Sequence, residues 1–188
     1  MVRRSLVSLV LVALCVSACA TPPQQVADAG IVDVEDDTFK TYREYRTKQK
    51  KSIQLGSNDI LGLAARIDRK TGATTIFVEM LFAYSTHLRR HYDRAANAQA
   101  EPLTFHKILS DGSCDRNRNC SRAEVFQIII PEPALRQAPP SGYQFKIFAT
   151  AAPELLITLE KPYIDSLFLK IDADRAKPPT QVSQKTAQ

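Results

Sequence analysis

Hydrophobic and polar residues alternate along most of the segment 38–174, and this period of two is typical of β-strands. Within 61–67 the odd positions are apolar, and a turn at 70–73 leads into the apolar segment Thr74–Tyr84. Because Thr74–Tyr84 is apolar on both faces, the pattern predicts a hairpin whose second strand is central in its sheet. Four further strands are predicted, at Leu103–Leu109, Glu124–Ile130, Tyr143–Thr150 and Leu155–Glu160.

Three segments depart from this alternation. After Lys161 and Pro162, apolar residues recur at helical spacing and predict a short C-terminal helix; they are Ile164, Leu167, Phe168 and Ile171. The polar segment Ser85–Asn97 is predicted to lie outside the sheets as a second candidate helix. In Phe39–Arg46 the aromatic residues are three apart, so the choice between helix and strand is open, and we favour an edge strand.

The strand pattern also predicts the fold class. Short strands joined by turns, several of them antiparallel by their spacing, favour a mainly β fold. We therefore predict an antiparallel β-sandwich, immunoglobulin-like in its general architecture, with the short helix at its C-terminal end. The segment 38–174 has the length of one domain with one core.

The chain begins with an apolar leader. Arg3 and Arg4 precede Ser5–Val16, an uncharged run of twelve residues. A run of this length fits a secretory signal, which has about 7–15 apolar residues, and is shorter than the ~20 residues of a membrane-spanning helix. The leader ends in Val16, Ser17, Ala18 and Cys19. These four residues resemble the bacterial lipobox, whose pattern is L/V/I, then A/S/T/V/I, then G/A/S, then Cys.

The resemblance implies a lipid anchor. In such lipoproteins the cysteine, here Cys19, receives a diacylglyceryl thioether, the chain is cut before it, and the new amine is acylated. Ala20 rather than Asp at the next position implies sorting to the outer membrane of a diderm bacterium, with the protein facing the periplasm. Two or three acyl chains hold a protein stably at a membrane. The alternative is a soluble secreted protein whose leader ends in Ala-Cys by coincidence.

These features divide the chain into four parts: a signal peptide at 1–18, a lipidated cysteine and flexible acidic tether at 19–37, a single β-rich domain at 38–174 and a disordered tail at 175–188. The tether is rich in proline, glutamine and acidic residues, and the tail lacks aromatic residues. Segments of such composition bury too little apolar surface to order themselves.

Charge and cysteine content narrow the expected partners. Loss of Arg3 and Arg4 with the leader leaves 23 basic residues against 20 acidic ones, a balance too mild to indicate nucleic-acid binding. We expect the membrane, envelope proteins, peptidoglycan or lipid as partners.

Cys15 is lost with the leader and Cys19 carries lipid, so Cys114 and Cys120 remain and are predicted to form a disulfide bond. A redox pair or two metal ligands are the alternatives, but their cysteines are usually separated by two residues.

Few residues suggest catalysis. His87 and His91 have the four-residue spacing of metal ligands on a helix, but Leu88 stands where zinc hydrolases have glutamate, and His106 falls on a predicted strand. These are weak candidates, and we expect no cofactor, no metal and no enzymatic activity. A charged group surrounds the two cysteines and is either a recognition patch or a solvated turn: Asp111, Asp115, Arg116, Arg118 and Arg122.

Three hypotheses about function follow. The first is a non-catalytic accessory or scaffold lipoprotein of an envelope or secretion assembly. The second is a module that binds a small ligand, a lipid or a glycan, between two sheets, with tyrosines as a further candidate binding face: Tyr42, Tyr45, Tyr84, Tyr92, Tyr143 and Tyr163. The third, a hydrolase, depends on the three histidines.

Overall fold

A computed structural model describes residues 32–51, 59–85, 90–116 and 120–176. These ranges contain ten strands and two helices in the order β1 (Val32–Glu35), β2 (Tyr42–Thr47), β3 (Lys50–Lys51), β4 (Ile60–Asp68), β5 (Thr74–Ser85), β6 (Tyr92–Asn97), β7 (Pro102–Cys114), β8 (Cys120–Ile129), α1 (Glu132–Arg136), β9 (Tyr143–Ala149), β10 (Leu155–Leu159) and α2 (Lys161–Arg175). The predicted leader, Cys19, His87 and most of the predicted tail lie outside the described residues. Within the described ranges, no helix is long and apolar enough to cross a membrane.

The strands form one antiparallel sheet that curls into a half-barrel. Nine strands follow the order β1-β2-β4-β5-β8-β7-β6-β9-β10, and the short β3 pairs with β4 beside them. The predicted mainly β class is confirmed, but the predicted sandwich is not. The reason is two junctions: β8 pairs with both β5 and β7, and β6 pairs with β7, which brings β9 and β10 into the same sheet.

The predicted hairpin is present. Strands β4 and β5 pair from Ile60↔Leu81 to Ile67↔Thr74, and β5 lies inside the sheet between β4 and β8. The turn between them is held by Asp68, whose carboxylate accepts the N–H groups of Lys70 and Thr71, and Gly72 supplies a φ of 71°. The four later strands also form close to their predicted positions, as β7, β8, β9 and β10.

The C-terminal helix is confirmed as α2. Pro162 lies in its first turn, and its four predicted apolar residues are buried against β1, β2 and β4. The hydroxyl of Tyr163 adds a polar connection that the apolar spacing did not predict. It lies 2.5 Å from Thr47 Oγ1 and donates to the carbonyl of Lys48 at 3.0 Å. The helix is therefore fixed to the sheet by apolar packing and by a buried hydrogen-bond network.

The prediction for Ser85–Asn97 is wrong in its second half. Tyr92–Asn97 is β6, which pairs with both β7 and β9 inside the sheet. A register shift between Tyr92 and Arg94 interrupts the strand, so the two buried side chains, Tyr92 and Ala95, are three residues apart. Because of this bulge, the residues that face the core are not two apart, and the sequence of the segment lacks the period of two that indicates a strand.

The N-terminal part of the fold also differs from expectation. Tyr42–Thr47 is a strand, as favoured, but it is internal because β1 pairs along its outer side. Strand β1 lies within the stretch 19–37 that was predicted as a flexible tether. Its half-buried Val32 and Val34 alternate with the exposed Asp33 and Glu35. Because acidic residues dominate the composition of this stretch, the composition did not predict the short apolar face of the strand.

Candidate functional site

Among the long strands of the described ranges, β7 is the most exposed, and it forms a hairpin with β8. The two strands pair from Thr104↔Ile129 to Cys114↔Cys120. We call residues 104–114 of β7, with the part of β8 paired to them, the ribbon. Strand β5 runs along the far side of β8 as far as Ser85↔Ser121, so β8 is covered on both edges.

The other edge of the ribbon is open. Strand β6 pairs with β7 at Ala95↔Leu103 and Ala96↔Pro102. Beyond Leu103, no strand of the described ranges pairs with this edge of β7. The backbone of the preceding residues, His91 and Tyr92, instead turns across the core side of the sheet, where it contacts Glu124 of β8. The divergence of β6 from β7 therefore leaves an edge strand eleven residues long, twice the usual strand length of about 5–6 residues.

Apolar side chains are exposed in the middle of this edge. Ile108 is 54% exposed and Leu109 is 47% exposed. The pairing with β8 shifts register between Lys107 and Leu109, so Ile108 is the extra residue of a bulge. Lys107 before the bulge remains on the core side near Glu124, whereas Leu109 lies opposite Val125 on the outer side. The bulge and Lys107 are features that protect an edge strand against unspecific pairing.

The end of the ribbon carries the predicted disulfide bond, which is confirmed. Cys114 and Cys120 lie directly opposite each other in the strand register, with Cα atoms 4.0 Å apart. Asp111, Asp115 and Arg116 are exposed near this end, Arg122 is half-buried, and Arg118 lies outside the described residues. The charged group predicted from the sequence therefore lies at the outer end of the ribbon.

Glu124 of β8 anchors the middle of the ribbon, where it lies opposite Ser110 of β7. Its side chain is 1% exposed and accepts hydrogen bonds from the Tyr84 hydroxyl and, at 3.3 Å each, from the N–H groups of His91 and Tyr92; Lys107 Nζ is 3.8 Å away. Burial opposes ionisation, but these donors and the nearby ammonium outweigh it and lower the pKa of Glu124. The carboxylate thus joins β5, β6, β7 and β8 at one point.

A second buried acid, Asp59, lies just before β4. It is 2% exposed, and one of its carboxylate oxygens accepts the N–H of Ala83 at 3.2 Å. Burial raises the pKa of Asp59, although this hydrogen bond and the charge of Arg90 act in the opposite direction. The pKa of Asp59 is therefore raised and the pKa of Glu124 is lowered, because several hydrogen-bond donors surround the Glu124 carboxylate.

The two described histidines, His91 and His106, lie on different elements, and His87 lies outside the described residues. His91 is exposed, with a left-handed φ of 55°, before the start of β6, and His106 is exposed on β7. In the described part of the chain, no three His, Cys, Asp or Glu side chains are grouped so that they could hold a metal ion.

The six tyrosines do not form a common binding face. Tyr45, Tyr92 and Tyr163 are almost fully buried in the core, and Tyr143 is 9% exposed. Tyr92 packs against Phe82 and Phe126, at centroid distances of 4.9 and 5.8 Å. The rings of these tyrosines therefore stabilise the fold by packing in the core.

Comparisons with protein families, with curated proteins and with solved structures find no match to this chain.

The disulfide bond leads to a first prediction. Replacing both Cys114 and Cys120 by serine should lower the free energy of unfolding by about 2 kcal/mol, because the bond closes a short loop. Urea denaturation followed by circular dichroism measures this loss, and dithiothreitol should leave the double variant unchanged. Complete unfolding of the wild type on reduction alone would contradict a merely local role for the bond.

Proposed function

We propose that this protein is a non-catalytic lipoprotein, anchored in the outer membrane and facing the periplasm, that binds another protein of an envelope or secretion assembly through the ribbon. The observation that carries the proposal is the open edge of β7, with Ile108 and Leu109 exposed at its centre. Unpaired N–H and C=O groups on such an edge can pair with an extended segment of a partner, and exposed apolar side chains add contact area.

The construction of the ribbon supports this role. Its end is closed by the disulfide bond, and its middle, next to Leu109, is held by the buried Glu124. A binding edge that is already ordered loses less conformational entropy when the partner arrives. The bulge at Ile108 and the charge of Lys107 limit unspecific pairing between free edges.

The proposed location depends on the leader and on the lipobox-like residues before Cys19. An anchor at the membrane would hold the domain where envelope proteins are concentrated. Among the other hypotheses, a hydrolase gains no support from His91 and His106, which are exposed on separate elements. The hypothesis of a ligand between two sheets gains no support from the core side of the sheet, where buried side chains form one packed cluster.

Photo-crosslinking in the producing bacterium tests the ribbon. A photoreactive amino acid at position 109 should give a discrete adduct with one envelope protein. The matched control is position 169, since Leu169 on α2 is also an exposed leucine, 71% accessible. The adduct should be absent from position 169, and Ile108→Asp should abolish the adduct formed at position 109. Identical adducts at both positions, or none at position 109, would contradict the proposal.

The anchor is tested separately in the same cells. Cys19→Ser should abolish labelling by radioactive palmitate and release the protein from the outer-membrane fraction, while the folded domain is retained. The crosslink from position 109 should become weaker because the protein is no longer concentrated at the membrane. A wild-type protein that is unlabelled and soluble in the periplasm would refute the location without refuting the role of the ribbon.

A further inference from the structure

An aromatic side chain stands almost fully in solvent at the turn between β1 and β2. Phe39 is 97% exposed, more than any other of the strongly exposed apolar side chains of the described ranges. Those others lie on β7, β10 and α2: Ile108, Leu109, Leu156 and Leu169. A phenylalanine ring exposed to this extent gains free energy when it leaves water. The turn is therefore a candidate contact point.

This turn is ordered by hydrogen bonds. Asp37 Oδ1 accepts the N–H of Phe39 at 2.9 Å, and the carbonyl of Asp37 accepts the N–H of Lys40 at 3.1 Å. Arg69, on the neighbouring turn between β4 and β5, donates to the carbonyls of Asp37 at 2.9 Å and Lys40 at 3.1 Å. We call residues 36–41 the Phe39 turn. Because the two turns are joined, the ring is held in place before any contact is made.

The charges at the two turns balance. Asp36 pairs with Arg43 and with Arg69, each at 2.5 Å, and Glu35 pairs with Lys40 at 2.5 Å. Together with the residues next to them, the turns carry four basic and four acidic residues: Lys40, Arg43, Arg69 and Lys70 against Glu35, Asp36, Asp37 and Asp68. Attraction between this part of the molecule and a partner must therefore come from the exposed ring rather than from net charge.

The Phe39 turn and the end of the ribbon lie at opposite ends of the sheet. Strand β5 begins at Thr74, directly after the turn that is joined to the Phe39 turn. It ends at Ser85, opposite Ser121 beside the disulfide bond. The twelve residues of β5 span roughly 40 Å at about 3.3 Å per residue. The domain therefore has an aromatic end and a ribbon end.

The chain enters the sheet nearer to the aromatic end. Val32 pairs with Thr47, and the Thr47 hydroxyl is bound to the backbone of Leu63. Leu63 pairs with Val78, which is four residues from the start of β5 and seven from its end. Twelve residues separate Val32 from Cys19, at most about 40 Å of chain. An anchor at Cys19 therefore needs less chain to bring the aromatic end to a bilayer than to bring the ribbon end there.

We propose that Phe39 inserts into the interface of the lipid bilayer that carries the protein, and that this contact directs the ribbon away from the membrane. The inference rests on the proposed anchoring at Cys19. Aromatic side chains are well suited to the boundary between headgroups and acyl chains. A single ring among balanced charges is too small for a stable protein interface, which buries about 800 Å² on each partner. It is sufficient beside a lipid anchor that already keeps the domain at the surface.

Tryptophan fluorescence of Phe39→Trp tests the insertion, since the chain contains no other tryptophan. The protein isolated from the producing bacterium is reconstituted in phosphatidylcholine vesicles. We expect the emission to lie at shorter wavelength than that of a solvent-exposed tryptophan and to be quenched by brominated acyl chains. The matched control is Leu109→Trp, at an exposed position on the ribbon, which should show neither effect. Added salt should not change the result, because the charges at the two turns balance.

A second tether separates this test from the proposed anchoring. If the isolated protein carries no lipid, a hexahistidine segment inserted after Cys19 and a nickel-chelating lipid hold the chain on the vesicles. The insertion of Phe39 is then measured even though the proposed anchoring has failed.

A second reporter keeps the native phenylalanine. Ala73→Cys, exposed on the neighbouring turn and labelled with an environment-sensitive dye, should report lower polarity on vesicles. Phe39→Asp should abolish this change, whereas Leu169→Asp, at an exposed leucine of α2, should not. Emission of Phe39→Trp that is neither shifted nor quenched on vesicles, equal quenching of Leu109→Trp, or a shift that appears only when a partner protein is added would overturn the proposal.

Discussion

Replacing Phe126 by alanine is expected to lower the free energy of unfolding by about 3–5 kcal/mol. Phe126 on β8 is fully buried, and its ring lies 5.2 Å from Phe82, 5.8 Å from Tyr92 and 4.9 Å from Phe105, measured between centroids. These neighbours belong to β5, β6 and β7. The substitution therefore removes contacts to three strands at once and leaves a cavity among these aromatic rings.

Urea denaturation followed by circular dichroism measures this effect. Phe126→Leu keeps most of the apolar volume and should cost about 1–2 kcal/mol. Leu156→Ala, at an exposed position on β10, should change stability by less than about 0.5 kcal/mol. A loss below about 1 kcal/mol for Phe126→Ala would show that the aromatic cluster does not hold the curled sheet together.

The strands and the C-terminal helix could be predicted because each of them is encoded in local periodicity. Thr74–Tyr84 is apolar on both faces, and it forms an internal strand, as such a pattern predicts. The apolar spacing after Pro162 similarly matches the buried face of α2. Closure of the strands into one sheet could not be predicted, since alternation in β8 does not indicate that it pairs with both β5 and β7.

Two strands were missed for different physical reasons. In β6 the bulge between Tyr92 and Arg94 breaks the alternation, so Tyr92 and Ala95 do not have strand spacing. In β1 the acidic residues Asp33 and Glu35 dominate the composition, although they occupy the exposed positions of a strand whose valines contact the core. A short strand is thus missed by its composition when the charged residues on its exposed face outweigh the apolar residues on its buried face.

The candidate site was predictable only in part. Counting cysteines was sufficient for the disulfide bond between Cys114 and Cys120, because the expected loss of Cys15 and the expected lipidation of Cys19 left a single pair. The open edge of β7 could not be predicted, since it exists because β6 leaves β7 after Leu103. A glutamate in an alternating strand is expected to face solvent, so the burial of Glu124 could not be predicted either. Its burial depends on donors from three other strands.

Glu124→Gln is the second substitution with a large expected effect, a loss of about 3 kcal/mol at pH 7. The Glu124 carboxylate accepts hydrogen bonds from the Tyr84 hydroxyl and from the N–H groups of His91 and Tyr92. It also lies near the ammonium group of Lys107. A neutral amide cannot replace its negative charge in these interactions. Asp165→Asn serves as a control because Asp165 pairs with Lys161 on the exposed side of α2, and it should cost less than about 1 kcal/mol. Equal losses for the two variants would contradict a special role for Glu124.

The effect of Glu124→Gln should also depend on pH. The pKa of Glu124 is lower in the folded protein than its ordinary value of 4.5. A group with a lowered pKa contributes stability that is fully present above the pKa of the unfolded chain and is lost as the pH falls through the folded value. The difference in unfolding free energy between wild type and Glu124→Gln should therefore be constant from pH 7 to about pH 5 and shrink below it. Asp36 and Asp172, whose pKa values are also lowered by arginines, titrate in both proteins and cancel in this difference. A difference that stays unchanged down to pH 3 would show that Glu124 is not bound as a carboxylate.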